Sequence, residues 1–268
     1  MRAWLIYEEA GALRNKDYID MHIEKGERLG IEFRVVICDR DDFPPTPPDF
    51  AIVRAMRPDI TKKIEDMGVP VFNNYLVSSI CNNKARTYEY LKKSGIPVMP
   101  WVSAKSTDLP IKAPHFPAVI KPCGGHGGEN VRVIKNEEDY LASLKHIYPD
   151  EYVLQPIATG VGNDLRVYVV GNKIVGAVQR TSNDDFRSNF SLGGNVIKAT
   201  LSEEERKLCE AVISLFDFGM CGIDIMYHEG RPVINEIEDV VGARMLYKTH
   251  DIDILEIYLS YIKERMNS

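Results

Sequence analysis

The segment Lys121-Pro-Cys-Gly-Gly-His-Gly-Gly-Glu-Asn-Val131 sets four glycines, Gly124, Gly125, Gly127 and Gly128, between two short apolar runs. A backbone without Cβ atoms approaches an anion closely, and successive N–H groups can cradle phosphate oxygens. The run lacks the GK[ST] ending of a Walker loop and does not open a helix, so it is another kind of phosphate binder or a flexible hairpin with no ligand. His126, in its middle, reads as an exposed loop residue rather than as a base.

A second group is acidic. Asp224 lies in GIDIM, and Glu236 and Glu238 lie in VINEIE. Side chains two apart on a strand share a face, so Glu236 and Glu238 point one way and Asn235 and Ile237 the other. Asp224, on the preceding strand of an antiparallel pair, would face the two glutamates across the ladder. Three carboxylates on one face repel unless a cation lies between them, and hard oxygen ligands suit magnesium or manganese. The alternative is a solvated acidic sheet face. Arginines fall between and after these features: Arg166, Arg180, Arg187 in DDFRSNFSLGGN, and Arg244 beyond the acidic strand. Guanidinium groups bind phosphate and carboxylate bidentately and stabilise charge that develops in phosphoryl or acyl transfer. Each arginine alone suits a surface; together with the glycine loop and the carboxylates they favour a nucleotide site.

The elements that must position these residues follow from pattern. Through residue 80, short apolar runs (Trp4 to Tyr7, Phe33 to Ile37, Phe50 to Val53) alternate with an amphipathic stretch from Asn15 to Leu29, the βα rhythm of a small, mostly parallel sheet. DDFPPTPPD is too rich in proline for a central strand or helix and reads as a surface loop. A helix fits Lys84 to Lys93, stopped by Ser94, Gly95 and Pro97. Strands at Ala118 to Lys121 and Val131 to Ile134, a helix at Glu137 to Leu144 and a strand at Tyr152 to Gln155 make an α+β lobe. A hairpin turning at Gly171 and Asn172 spans Asp164 to Arg180. Ser202 and Glu205 form a capping box before a helix reaching about Phe216. Strands at Gly222 to Tyr227 and Pro232 to Glu238, then a helix from Ile254 to Arg265, complete the chain. The expected division is a small α/β domain over 1–80, a lobe with the glycine loop over 81–150, and a C-terminal lobe with the metal site over 151–268.

Composition excludes some classes. The 268 residues are 44% hydrophobic and 27% charged, with 33 Lys plus Arg against 39 Asp plus Glu, a net charge of -6 and no long block of one sign. Nonspecific binding to nucleic acid or to an anionic membrane is therefore not expected. Five scattered cysteines without CxxC spacing suggest a reducing compartment rather than a disulfide frame or zinc site. No run approaches the roughly 20 apolar residues of a spanning helix, and a cytoplasmic protein is the plain reading.

The order of these motifs resembles the ATP-grasp superfamily, and especially its RimK-type branch of glutamate ligases, from about Cys81 to Arg265. The first eighty residues look like the small α/β domain that precedes the ATP-grasp fold in that family. The resemblance implies two lobes clamping ATP, with Lys84 in NNKARTYEYLKKSGIPVMP and Lys121 in PAVIKPCGGHGGENVRVI as nucleotide-contacting lysines. It places adenine on the backbone of Gln155, Pro156 and Ile157 in YVLQPI, and ribose on Asp164 in GNDLRVYVVGNKIVGAVQR. It sets Arg187, Ser188 and Asn189 of DFRSNFSLGGN near the phosphates, and makes Asp224, Glu236 and Glu238 the metal ligands. Two departures stand out: Glu238 where the family usually has Asn, and Val240-Val241-Gly242 where it has a Ser-Pro-Gly turn beside the acceptor substrate. The second weakens any assignment of glutamate as the amine.

Similarity to the family implies an ATP- and Mg2+-dependent carboxylate-amine ligase, with Mn2+ as a substitute, that forms an amide through an acylphosphate and releases ADP and phosphate. Its partners would be a small-molecule or peptide carboxylate and an amine such as an amino acid, with room for a homo-oligomer. Lys84 and Lys121 would bind phosphates, Arg166, Arg180 and Arg187 are candidates for the reaction centre, and Arg244 would clamp a substrate carboxylate. A small-molecule kinase on the same fold, or a nucleotide-binding module without chemistry, are the alternatives.

Overall fold

The computed structural model describes residues 1–268 except 112–114, 126, 127, 129, 160–162 and 182–194. The chain opens with β1 (Arg2–Tyr7), α1 (Glu9–Arg14), α2 (Lys16–Leu29), β2 (Glu32–Ile37), β3 (Phe50–Val53), α3 (Pro58–Asp66) and β4 (Val71–Phe72). The four strands pair in parallel in the order β2-β1-β3-β4, as the alternating pattern predicts. Leu5 and Ile6 are wholly buried, as strands covered on both faces require. The proline-rich segment from Asp41 to Asp49 forms no helix or strand.

Two helices lead out of this sheet, α4 (Tyr75–Cys81) and α5 (Lys84–Lys93). Asn83 caps α5, its side chain accepting from Arg86 N at 3.0 Å, and Gly95, at φ 75°, follows the helix end. Next come β5 (Val102–Lys105), β6 (Ala118–Pro122), β7 (Arg132–Ile134), α6 (Glu137–Ile147) and β8 (Glu151–Pro156). The strands pair antiparallel in the order β5-β8-β6-β7. Strand β8 lies between β5 and β6 in the second sheet, in the α+β lobe where the sequence pattern puts a strand over Tyr152 to Gln155, and its apolar residues Tyr152 and Leu154 fill the core beneath α6.

The third sheet holds β9 (Asn163–Val170), β10 (Lys173–Thr181), β11 (Asn195–Lys198), β12 (Met220–His228) and β13 (Arg231–Glu238), in the order β11-β10-β9-β12-β13. Gly171 makes the β9–β10 turn at φ 57°, and a Cβ there would meet the Tyr261 ring at 2.5 Å. Helix α7 (Glu203–Ile213) begins at the expected capping box of Ser202 and Glu205 and ends before Phe216, with Ser214 as its C-cap. Helices α8 (Arg244–Thr249) and α9 (Ile254–Met266) close the chain. Leu255, Tyr258, Leu259 and Ile262 of α9 share one core with Leu5 and Tyr7 of the first sheet and Tyr168 and Met220 of the third. The last helix thus joins the first domain to the C-terminal lobe.

Polar contacts secure the same seam. Asn73, 5% exposed, donates to Met220 O (2.8 Å) and to Asp239 O and Oδ1 (3.1 and 2.6 Å), and it accepts from Gly219 N and Met220 N (2.6 and 3.2 Å). Among the described residues no helix is long and apolar enough to cross a membrane. All five cysteines are free thiols, and four are buried.

Candidate active site

Lys84 opens α5, and its backbone N–H donates to Cys123 O at 2.9 Å, so the helix start is tied to the strand that enters the glycine loop. Its ammonium lies 2.9 Å from Glu236 Oε1 and donates to Gly125 O at 3.3 Å. Lys121, near the end of β6, donates to Asn235 Oδ1 at 3.0 Å. Both lysines therefore converge on β13 from the opposite lobe. Lys121 is half-buried. Burial pushes its pKa down to about 8, helped by the charge of Lys84 and opposed by Glu236, Asp164 and Asp224.

The acidic residues sit on neighbouring strands as expected. Asp224 on β12 pairs with Glu236 on β13 and with Arg166 on β9. The two-residue period fails at one position. Asp224 pairs with Glu236 but Ile225 pairs with Ile234, so Asn235 is an extra, bulged residue. Its side chain is not sent to the opposite face; it meets Lys121, while its carbonyl accepts from Tyr88 OH at 2.6 Å. Neither Asn235 nor Tyr88 stands out in the sequence, because a bulge leaves no periodic signal.

The expected cage of three carboxylates is not assembled, since among the described residues no group of three His, Cys, Asp or Glu side chains is placed to hold a metal. Protein cations lie between them instead. Arg166 donates Nε and Nη2 to Asp224 (both 2.7 Å) and Nη1 and Nη2 to Glu238 (2.7 and 2.6 Å). Arg180 donates to both oxygens of Asp164 (2.7 and 2.6 Å) and to Asp224 Oδ2 at 2.6 Å. Asp164, the residue expected on the ribose, is 5% exposed and has both oxygens on this arginine. Burial raises the Asp224 pKa, but the two guanidiniums outweigh it and hold the carboxyl below its ordinary value. Glu238 moves up, chiefly through burial, with Asp224 and Glu236 adding repulsion that Arg166 opposes.

This donor set fits a nucleotide with magnesium. The Lys84 ammonium stands beside Gly125, whose φ of 89° suits glycine, and Cβ atoms built at Gly124 or Gly125 meet nothing within 4 Å. Open space beside a cationic group suits phosphate oxygens. The side chains of Glu236 and Glu238 are each 23% exposed, and each carboxylate has lone pairs beyond those given to Lys84 and Arg166. Magnesium is commonly held by one or two carboxylates together with substrate phosphates rather than by an all-protein cage. Asp224, at 4% side-chain exposure with three N–H donors on it, instead holds the arginines in place.

Gln155, at 1% exposure, and the half-buried Pro156 and Ile157 lie at the end of β8, where Gln155 pairs with Val119 and Pro156 with Ala118. Arg244 is exposed at the start of α8 and away from the cluster's ion pairs. Gly128 is described at φ 79°, whereas His126, Gly127, Arg187, Ser188 and Asn189 lie outside the described residues.

Comparison with known proteins places this geometry. A family model described as a RimK-like ATP-grasp domain matches residues 81–262. A protein of Maridesulfovibrio salexigens named probable alpha-L-glutamate ligase is 29% identical over 214 residues, 76% of this chain and 71% of that one. Human beta-citrylglutamate synthase B is 31% identical over 234 residues, 80% of this chain and 60% of the relative. A D-alanine–D-alanine ligase from Bacillus anthracis, solved in complex with ATP, superposes with a TM-score of 0.76 at 17% identity, covering 99% of this chain and 97% of that one. With a converging lysine pair, an acidic strand pair and a family match across most of its length, the chain belongs to the RimK-like ATP-grasp family.

Proposed function

We propose that this chain, an ATP-dependent carboxylate-amine ligase by family, works through an acylphosphate and takes an amino acid as one substrate. The observation that supports this most is the convergence of Lys84 and Lys121 from one lobe on Glu236 and Asn235 of the other, beside the open space at Gly125. Around it four carboxylates (Asp164, Asp224, Glu236, Glu238) face two arginines and two lysines, so the resting site is close to neutral. A triphosphate adds several negative charges, and magnesium is the cation that would offset them.

In this reading Lys84 and Lys121 bind phosphate oxygens, and Glu236 and Glu238 hold magnesium. Gln155, Pro156 and Ile157 border the base. Arg166 and Arg180, locked by Asp164 and Asp224, present a fixed positive field to the reacting groups. A carboxylate oxygen attacks the γ-phosphorus and ADP departs. The amine then attacks the acyl carbon, loses a proton, and phosphate leaves with one oxygen of the original carboxylate. Names of relatives that contain glutamate favour an amino acid as amine substrate.

The route is tested with a carboxylate substrate labelled with oxygen-18. Label appearing in released phosphate, one atom per turnover, is the expected result. Phosphate released without label rules out the acylphosphate, and a phosphorylated hydroxyl product favours a kinase.

A further inference from the structure

We propose that Arg54, with the hydroxyls of Tyr7 and Tyr18, forms a subsite for a carboxylate of the substrate that does not react; this rests on the ligase reading above. Tyr7 is the last residue of β1, and Arg54 directly follows β3. These adjacent strands are the centre of the first sheet, ordered β2-β1-β3-β4. The chain leaves β1 toward one side for β2 and continues from β3 toward the other for β4, so the two carboxyl ends flank a topological switch point. Ligands of open parallel sheets bind in the crevice outside the strand ends at such a point.

The polar groups at this place are incompletely partnered. Arg54 Nη2 donates to Val241 O at 2.9 Å, a single bond to a neutral acceptor. Its Nε and the hydroxyls of Tyr7 and Tyr18 are buried without a hydrogen bond of good geometry among the described residues. They belong together: the guanidinium carbon lies 5.3 Å from the Tyr18 ring centre, and the Tyr7 hydroxyl lies within hydrogen-bonding reach of the guanidinium. Among the described residues no carboxylate forms an ion pair with Arg54, and Asp239, which feels its charge, already accepts from Asn73 and Asn82. A largely buried cation whose polar neighbours are unsatisfied is costly, and each such group calls for an explanation.

A carboxylate supplies what is missing. Its two oxygens accept from the planar guanidinium and from phenolic hydroxyls, an arrangement to which arginine is suited. The present acceptor, Val241 O, is a neutral carbonyl, so a charged oxygen competes with it effectively. Val241 stands in the Val240-Val241-Gly242 turn that replaces the family's Ser-Pro-Gly, and that turn runs into α8, where Arg244 is exposed. Because pairing with a guanidinium stabilises a carboxylate's charge and lowers its nucleophilicity, the group that reacts with ATP or the acyl carbon is another. The substrate is therefore an α-amino acid serving as amine, or an acid with at least two carboxylates. His22 Nε2 is also unpartnered, but it is an acceptor when Nδ1 donates to Tyr18 O, and it does not serve an anion.

The test is equilibrium binding to the full chain of a panel of the twenty amino acids, citrate and dicarboxylic acids, together with their amides, followed by steady-state kinetics on the binders. Wild type should prefer a free acid over its amide, the amino-acid arm or the polyacid arm showing which substrate is held. Arg54→Gln should weaken that acid by about 10- to 100-fold, as for loss of a charge-assisted hydrogen bond, bring the preference over the amide near unity, and leave the KM for ATP unchanged. Tyr18→Phe, which removes only an unpartnered oxygen, should keep or raise the Tm and still weaken the acid; it carries the test if Arg54→Gln does not fold. If no acid in the panel binds, or if the acid-over-amide preference survives in these variants, the proposal is overturned. Binding that depends on Arg54 without any condensation product supports the subsite while sinking the ligase reading.

Discussion

At the scale of single residues, the site is an alternation of charges in which each carboxylate already has a protein cation. Lys121 is the member whose charge is least secure. As pH rises through about 8 it loses the proton that phosphate binding needs. Affinity for ADP should therefore fall between pH 7 and 9 in wild type, by up to about tenfold per unit above that point, and Lys121→Arg, charged throughout, should flatten the profile. Calorimetric titration at several pH values measures this, and a pH-independent wild type contradicts it. Glu238 tests the other side of the site. Glu238→Asn restores the family's usual residue but removes one negative charge and a partner of Arg166. Activity should persist with a several-fold higher magnesium requirement, read as turnover against magnesium at saturating ATP; an unchanged requirement excludes Glu238 as a ligand. Asp224, Glu236 and Glu238 stand out in the chain because strand period carries them, whereas Lys84 and Lys121 are picked out by the resemblance to the family. That Arg166 and Arg180 are tied to those carboxylates was not legible in the sequence, since an arginine's reach across a ladder depends on its register with two neighbouring strands. Asn235 was misplaced for a similar reason: a bulge adds one residue without altering the composition around it.

At the scale of elements, caps and turns were the most legible. The capping box at Ser202, the helix from Lys84 to Lys93 and the Gly171 turn are local devices, and local sequence specifies them. Strand order is not local. Strand β8 follows α6 in the chain yet inserts between β5 and β6, a choice made by pairing partners distant in sequence. The clamp between the first domain and the third sheet was equally invisible. Asn73, one polar residue after a two-residue strand, satisfies five hydrogen bonds to groups beyond residue 218. Asn73→Ala would leave Gly219 N and Asp239 short of partners inside the protein. Unfolding in urea should show a loss of roughly 2–4 kcal/mol, and a loss below about 0.5 kcal/mol would mean that water replaces the side chain freely.

At the scale of the whole molecule, three sheets are tied together. The first sheet is joined to the third through α9, and the second delivers Lys121 and the glycine loop against β13. Each sheet thereby contributes differently. In the proposed reading the second and third grip the nucleotide between lysines and carboxylates, and the carboxyl ends of the first face the substrate side. A ligase needs nucleotide and both substrates in one closed space, because an acylphosphate exposed to water is hydrolysed before the amine arrives. A kinase needs only one acceptor. The measurement that separates these possibilities most directly is the mass of products formed from MgATP, a carboxylate and an amino acid. The account predicts a condensation product lighter than its two parents by one water, formed in equal number with ADP and phosphate and only when both parents are present. A product heavier by one phosphoryl group, formed from a single parent, would contradict it.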